Sequence, residues 1–143
     1  MGLWSFVKNA GKSLVGSAEA APAPADLSKE IEALGLDASG LEITVDGDIV
    51  KVSGTAVSQE MKEKVILAVG NIEGVAAVDD EVADAGTASV FHTVEKGDTL
   101  SAVAKKTLGS ANKYHAIFEA NKPMLSHPDK IYPGQVLRIP QDA

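Results

Sequence analysis

The hydrophobic positions in the middle of the chain follow first a helical period and then a strand period. Leu27, Ile31 and Leu34 recur at the spacing of one helix face. Apolar and polar residues then alternate on both sides of an Asp46-Gly47 turn, which predicts a β-hairpin. The pattern therefore predicts that a helix and two antiparallel strands begin a folded unit near residue 26.

A second helix and a third strand complete this unit. Ser58 precedes the helical apolar residues and can cap their N-terminus, and Gly70-Asn71 supplies an end signal. Val75, Val78 and Val82 then indicate a final strand. Residues 26–84 are thus predicted to form an αββαβ domain, with two helices on one face of a three-stranded sheet.

The C-terminal part of the chain has a different order of elements. A short strand over 91–94 is followed by a turn at Gly97, and Thr99 can cap a helix. A second helix over 113–120 and a last strand near residue 139 complete a βααβ pattern. The predicted fold class is α+β, with a second domain over 91–143 and a linker over 85–90.

The N-terminal residues form a third region. Residues 3–15 place apolar side chains at helical spacing, and an Ala/Pro-rich linker follows, so residues 1–25 are predicted to be an N-terminal helix and linker. Such a helix can dock on the rest of the protein or lie on a membrane surface. We expect docking, because the segment is short and only weakly basic.

Charge and composition narrow the functional classes. The net charge of −7 divides into −9 over residues 1–89 and +2 over residues 90–143. The acidic half disfavours nucleic acid as a partner. No apolar run is long enough to span a bilayer and no secretory signal begins the chain, so we expect a cytoplasmic protein without a membrane partner. The acidic run Asp79-Asp80-Glu81 is expected to be a solvated strand end.

The sequence contains no motif for catalysis and none for a metal site built from side chains. The three histidines lack the spacing of metal ligands, and the chain contains no cysteine. No nucleophile or phosphate-loop motif is present. We therefore expect a monomeric binding protein without enzymatic activity.

The C-terminal unit resembles the LysM domain family. The resemblance is carried by the blocks Thr93–Ser101 and Ile131–Pro140, with Asn121 between them. LysM domains bind polymers of N-acetylglucosamine in a shallow groove. The resemblance implies these groove residues: Gly97, Asp98, Thr99, Leu100, Asn121, Lys122, Pro123, Met124 and Ile131. Binding of a carbohydrate, or of an unknown protein, through this domain is one hypothesis for function.

The middle unit resembles the BON domain family, through Ile49–Gly54 and Gly74–Val78. One BON and one LysM domain in a single chain resemble the family of small bacterial cytoplasmic potassium-binding proteins. The matching blocks are Gly2–Gly11, Ser58–Asp80 and Phe118–Pro140. This resemblance implies a K+ sensor or buffer that becomes compact on binding, with Rb+ or Cs+ as substitutes. It implies these backbone carbonyl ligands: Val7, Ala10, Gly70, Ile72 and Val75.

A carbonyl site for K+ is physically reasonable in this chain but leaves little trace in a sequence. Potassium is held in proteins by rings of neutral carbonyl oxygens. A helix leaves its last carbonyls without intrahelical partners, and its dipole attracts cations to that end. The helix that ends at Gly70 leads into a glycine-punctuated turn. The residues alone leave open whether 70–75 is an ion site or an ordinary helix cap and loop.

Overall fold

The computed structural model of the protein describes residues 2–6, 24–82, 90–122 and 124–140. These residues form two units, each with its own hydrophobic core. The elements in chain order are β1 (Gly2–Ser5), α1 (Pro24–Ala33), β2 (Leu41–Asp46), β3 (Ile49–Gly54), α2 (Gln59–Gly70), β4 (Ala77–Val82), β5 (Val90–Thr93), α3 (Leu100–Leu108), a 3-10 turn (Ala111–Lys113), α4 (Tyr114–Ala120) and β6 (Val136–Ile139).

The first unit has the predicted αββαβ order over residues 24–82. β2 and β3 form an antiparallel hairpin, whose tight turn is Gly47-Asp48. α2 then crosses over and returns the chain to β4, which pairs parallel to β3. Buried residues of both helices and the sheet form one core, including Leu27, Val50 and Val65. Ser58 caps α2 as predicted, since its hydroxyl accepts a hydrogen bond from the backbone N–H of Met61.

The sheet has four strands rather than three, because residues predicted to be helical form β1. β1 pairs antiparallel with β4, and the sheet order is β1-β4-β3-β2. The helix prediction is therefore wrong for residues 3–5, and residues 7–15 lie outside the described part. Leu3 is exposed, while Trp4 and Phe6 pack on the core, so the side chains follow a period of two. The strand also covers an edge of β4 that would otherwise lack backbone partners.

The second unit has the predicted βααβ order. β5 and β6 form a two-stranded antiparallel sheet, and α3 and α4 pack on it through residues such as Val103, Ile117 and Leu137. The hydroxyl of Thr99 caps α3 by accepting a hydrogen bond from the Ala102 N–H. None of the helices in the described ranges has the length and apolar character of a membrane span.

Two glycines allow the ends of the β2–β3 hairpin to approach closely. Gly40 and Gly54 both have positive φ angles, 85° and 107°. A Cβ atom on Gly54 would lie 2.1 Å from the carbonyl oxygen of Gly40. Gly47 also has a positive φ, 64°, but a Cβ there would meet nothing within 4 Å.

We expect Gly54→Ala to lower the free energy of unfolding by roughly 2–5 kcal/mol, because it adds a backbone collision to the conformational strain. Gly47→Ala is the matched control and should cost about 1–2 kcal/mol, since only strain applies. Urea-induced unfolding measured by circular dichroism compares the two variants. Equal losses of stability would contradict the close approach of residues 40 and 54.

Candidate functional site

The turn that follows α2 brings together three of the predicted carbonyl ligands. Gly70 is the last residue of α2, and Ile72 and Val75 lie in the loop that leads to β4. All three are buried. Gly74 has a φ of 100°, a conformation that glycine adopts easily and that reverses the chain within this loop. The remaining two predicted ligands, Val7 and Ala10, lie outside the described residues.

Hydrogen bonds hold this turn in place from several sides. The N–H of Val75 donates to the carbonyl of Ile72 at 3.1 Å. The next residue, Ala76, donates to the Asp48 carbonyl at 2.8 Å, and its own carbonyl accepts from the Phe6 N–H at 2.9 Å. The turn is thus tied both to the β2–β3 hairpin and to the segment after β1.

Phe6 also packs directly against the end of α2. A Cβ atom built on Gly70 would lie 2.0 Å from Cζ of the Phe6 ring, so only glycine leaves room for this contact. Phe6 immediately precedes Val7, the first of the predicted N-terminal ligands, in the sequence. The sequence pattern did not identify this contact, because it assigned Phe6 to a helix.

Besides the Asn71 amide and the Glu73 carboxylate, the polar groups of the turn are those of the backbone, and these include neutral carbonyls. Among the described residues, no hydrogen bond reaches the carbonyl oxygens of Gly70 and Val75. Within the same ranges, no group of three or more histidine, cysteine, aspartate or glutamate side chains could hold a metal ion. Buried carbonyls at a helix C-terminus suit a large, weakly hydrated monovalent cation better than a small divalent one.

Asn71, in the middle of the turn, joins the two units. Its Nδ2 donates to the carbonyl of Val136 at 2.9 Å, and its Oδ1 accepts from the N–H of Val136 at the same distance. Nδ2 also lies 3.5 Å from the sulfur of Met124. The side chain is only 6% exposed, so these bonds are shielded from water. Sequence reasoning treated Asn71 only as a helix end signal and missed this role.

Charged and aromatic contacts add to the junction. Nε of Arg138 on β6 donates to Glu63 on α2 at 2.6 Å, and the Glu63 side chain is 1% exposed. Gln59 donates to the other carboxylate oxygen of Glu63 at 2.9 Å. The Trp4 and Phe91 rings meet edge to face, with centroids 4.4 Å apart. The pairing of an acidic residue of the first unit with an arginine of the second agrees with the charge difference between the two halves.

We expect Arg138→Gln to lower the free energy of unfolding by about 2–5 kcal/mol, because it leaves the buried Glu63 carboxylate without its cation. Lys51→Gln is the matched control. It removes a lysine 2.8 Å from Glu81 whose side chain is 50% exposed, and it should cost at most about 1 kcal/mol. Denaturant unfolding followed by the fluorescence of Trp4 measures both. Equal small losses would show that the Arg138 contact contributes little.

The acidic run at the end of β4 is not uniformly solvated, contrary to the sequence expectation. Asp80 is 3% exposed and accepts a salt bridge from Lys62 at 3.2 Å. Nε1 of Trp4 also donates to Asp80, at 3.3 Å, and Lys62 reaches the carbonyl of Val82 at 3.0 Å. Asp80 lies on the same face of β4 as the core residues Val78 and Val82, and its contacts with Lys62 and Trp4 explain why it is buried. Its partners fasten β1 to the sheet.

A cleft of about 270 Å³ lies where the two units meet, beside the turn. Ala68, Ile72, Met124 and Tyr132 are among the residues that line it. Gln135 also contributes to its wall, and the buried amide oxygen of Gln135 has no hydrogen-bond partner in the described part of the chain. Such a buried acceptor costs about 1–3 kcal/mol.

Tyr132 lies in the same cleft and contacts the turn. Its hydroxyl donates to the carbonyl of Asn71 at 3.4 Å, a long hydrogen bond. Burial raises the pKa of the Tyr132 hydroxyl from 10.0 to about 12. The folded protein thus favours the neutral phenol. The neutral Tyr132 hydroxyl therefore contributes fully to the free energy of unfolding below pH 10. This contribution is lost as the pH rises through about 12.

We expect the stability of the protein to fall between pH 10 and about pH 12, because the unfolded chain releases the Tyr132 proton first. Tyr132→Phe should flatten this part of the stability profile and remove the last phase of phenolate absorbance in a spectrophotometric titration. A wild-type titration without a late phase, unchanged in the variant, would contradict the burial of this hydroxyl.

The predicted glycan-groove residues make many local contacts. The Asp98 carboxylate accepts hydrogen bonds from the Glu95 N–H at 2.9 Å and from His92 at 3.1 Å, and these bonds lower its pKa. Thr99 is engaged as the cap of α3, and Leu100 is 3% exposed. Gly97, with a φ of 91°, forms the preceding turn. Their polar side chains are therefore largely occupied within the domain.

The other groove residues lie after α4, close to the first unit. Asn121 is 2% exposed and bonds to the backbone of Arg138. Lys122 pairs with Glu119 at 2.9 Å, and Ile131 packs on the core. Leu36, Lys64 and Leu67 line one recess together with Asn121, Lys122 and Met124. Pro123 lies outside the described residues. The first unit thus covers part of the predicted groove.

Comparison with known families agrees with the two units of the fold. The BON domain family matches residues 24–83, and the LysM domain family matches residues 92–140. The protein is therefore of the class that combines a BON domain with a LysM domain. The chain is 50% identical over 149 residues to the protein named Potassium binding protein Kbp of Escherichia coli O6:H1. The match covers 99% of this chain and 100% of that protein, and the chain belongs to the same family.

A second relative matches only part of the chain. It is named Uncharacterized protein and comes from Deinococcus radiodurans. The identity is 42% over 57 residues, which are 40% of this chain and 22% of that protein. A match of this length is compatible with a single shared domain.

Proposed function

We propose that this protein binds potassium ions through backbone carbonyls of the turn after α2, as a K+ sensor or buffer. The observation that carries the proposal is the buried turn of Gly70, Ile72 and Val75, in a chain that belongs to the family of Potassium binding protein Kbp. The proposed ligand set is the one implied by the family resemblance, with Val7 and Ala10 contributing from the N-terminal segment. Rb+ and Cs+ are proposed substitutes, because they are also large and weakly hydrated.

The electrostatics of the first unit support a cation as the ligand. Residues 1–89 carry a net charge of −9, which raises the local concentration of cations without selecting among them. We assign the selection of K+ over other cations to the neutral carbonyls. Their oxygens replace the hydration shell of the ion, and their number and spacing determine which ion fits. The dipole of α2 also ends at Gly70 with its negative end toward the turn.

Ion binding is proposed to compact the BON and LysM domains. The turn lies directly at the junction, where Asn71 bonds to Val136 and Tyr132 contacts the Asn71 carbonyl. A ligand that binds only the ordered turn stabilises every contact that depends on that order. We propose domain limits of 26–84 and 91–143. We further propose that the protein is a monomeric, non-enzymatic binding protein of the cytoplasm.

Titration of the full chain with K+ or Na+ at equal ionic strength tests this function. We expect K+, Rb+ and Cs+ to raise the melting temperature and to change the fluorescence of Trp4, whose ring contacts Phe91 across the junction. At a K+ concentration of 100 times Kd the gain in stability should be ~2.7 kcal/mol. Small-angle scattering should show a smaller radius of gyration in K+. Equal responses to Na+ and K+ would refute the proposal.

A pair of glycine variants makes the test specific to the turn. Gly70→Ala places a methyl group 2.0 Å from the Phe6 ring and should displace the segment that leads to Val7, so the K+-dependent gain should be lost. Gly109→Ala is the control. Its φ of 83° makes alanine strained, but nothing lies within 4 Å. It should lower stability and leave the K+-dependent gain intact.

Carbohydrate binding through the LysM domain is the second proposed function, supported by the family match over residues 92–140. The recess that Asn121, Lys122 and Met124 share with residues of the first unit argues against an open groove in the arrangement seen here. Titration with chitooligosaccharides in K+ and in Na+, followed by NMR, separates the two functions. Shifts at residues 97–100 and 121–131 would support the carbohydrate hypothesis, and unchanged spectra would reject it.

A further inference from the structure

We propose that the Asn71 side chain is the positioning group that couples the ion-binding turn to the LysM domain, by occupying the free edge of β6. The inference rests on the proposed potassium function and adds to it a defined route between the ion and the domain junction. The route is short, since Asn71 lies in sequence between two of the proposed ligands, Gly70 and Ile72.

The backbone groups of β6 alternate between the partner strand and the open edge of the sheet. In an antiparallel pair, alternate residues direct their N–H and C=O groups toward the partner strand. The Gln135 carbonyl accepts from Val94 at 2.8 Å, next to the register pair of Thr93 with Val136. Val136 and Arg138 therefore direct their backbone groups away from β5, toward the open edge of a two-stranded sheet.

Two buried asparagines satisfy these outward groups in the same way. Asn121 of the LysM domain donates to the Arg138 carbonyl at 2.9 Å and accepts from the Arg138 N–H at 2.7 Å. Asn71 of the BON domain makes the equivalent pair of bonds with Val136, both at 2.9 Å. Each side chain amide thus replaces one residue of a missing neighbouring strand. One replacement is internal to the LysM domain, and the other crosses the junction.

A change in the turn after α2 alters the geometry of the Asn71 hydrogen bonds. The amide of Asn71 is separated from its own backbone by a single methylene group, so its position follows the turn closely. Hydrogen bonds weaken steeply when distance or angle departs from the preferred range. In our proposal the turn is ordered only when the ion is bound. The Val136 backbone is then bonded to Asn71 only in the ion-bound state, whereas the Arg138 backbone is bonded to Asn121 with and without the ion.

Coupling of this kind is reciprocal. If the ion strengthens the Asn71–Val136 pair, then that pair strengthens ion binding by the same factor. Asn71 does not itself contact the ion through its side chain in this scheme. It is a positioning residue, and its effect should appear as a link between K+ and one particular backbone amide of the LysM domain.

Amide hydrogen exchange of the full-length wild type, measured by NMR in K+ and in Na+ at equal ionic strength, tests the coupling without any mutation. The Val136 amide should exchange at least about fivefold more slowly in K+. The Arg138 amide, two residues away on the same strand, is the internal control and should change less than about twofold. Equal changes at the two amides, or none at Val136 in protein that binds K+, would overturn the inference.

Two full-length variants separate the role of Asn71 from general weakening of the junction. In Asn71→Ala, Val136 exchange should be fast in both salts, and the Kd for K+ should rise at least about fivefold. Arg138→Gln removes a different junction contact, the ion pair with Glu63 of α2. In this variant K+ should still slow exchange of the Val136 amide. A K+ effect on Val136 that survives in Asn71→Ala would overturn the inference. Absence of K+ binding by the wild type would instead reject the proposed function, and the inference with it.

Discussion

The Asn71 side chain and the backbone of Val136 form a buried pair of hydrogen bonds across the contact between the two domains. The LysM domain has only a two-stranded sheet, so β6 presents outward backbone groups that need partners when they are buried. Asn121 satisfies Arg138 from within the domain, but Val136 depends on the BON domain. Because an unsatisfied buried group costs about as much as a lost hydrogen bond, this contact favours one docking geometry over its neighbours.

The rest of the junction combines charged, polar and apolar contacts. The Glu63–Arg138 pair is short and well shielded, yet the Gln135 amide oxygen lacks a partner in the described residues, and the Tyr132 hydrogen bond is long. Interfaces of this kind between small domains release more readily than an apolar core does. Because Asn71 belongs to the turn after α2, the proposed ordering of this turn by a ligand would act directly on the junction.

The N-terminal strand links the same elements from the other side. Trp4 donates to Asp80 within the BON sheet and meets Phe91 of the LysM domain, while Phe6 packs on Gly70. The buried Lys62–Asp80 pair holds β4 and α2 together at the position where β1 joins them. One short segment thus contacts the sheet, the proposed ion-binding turn and the second domain, which explains why an aromatic residue occurs at both positions 4 and 6.

The residue pattern was enough to predict the order of elements within each of the two domains, the caps at Ser58 and Thr99 and the α+β class, because these depend on local periodicity and on hydrogen bonds between near neighbours. The proposed carbonyl site came from family resemblance, since backbone oxygens leave no side-chain signature. Three features became visible only in the folded chain: residues 2–5 form a strand, Asp80 is buried, and Asn71 bonds to Val136. Each of these depends on a partner more than 60 positions away in the chain, and local patterns carry no information about such a partner.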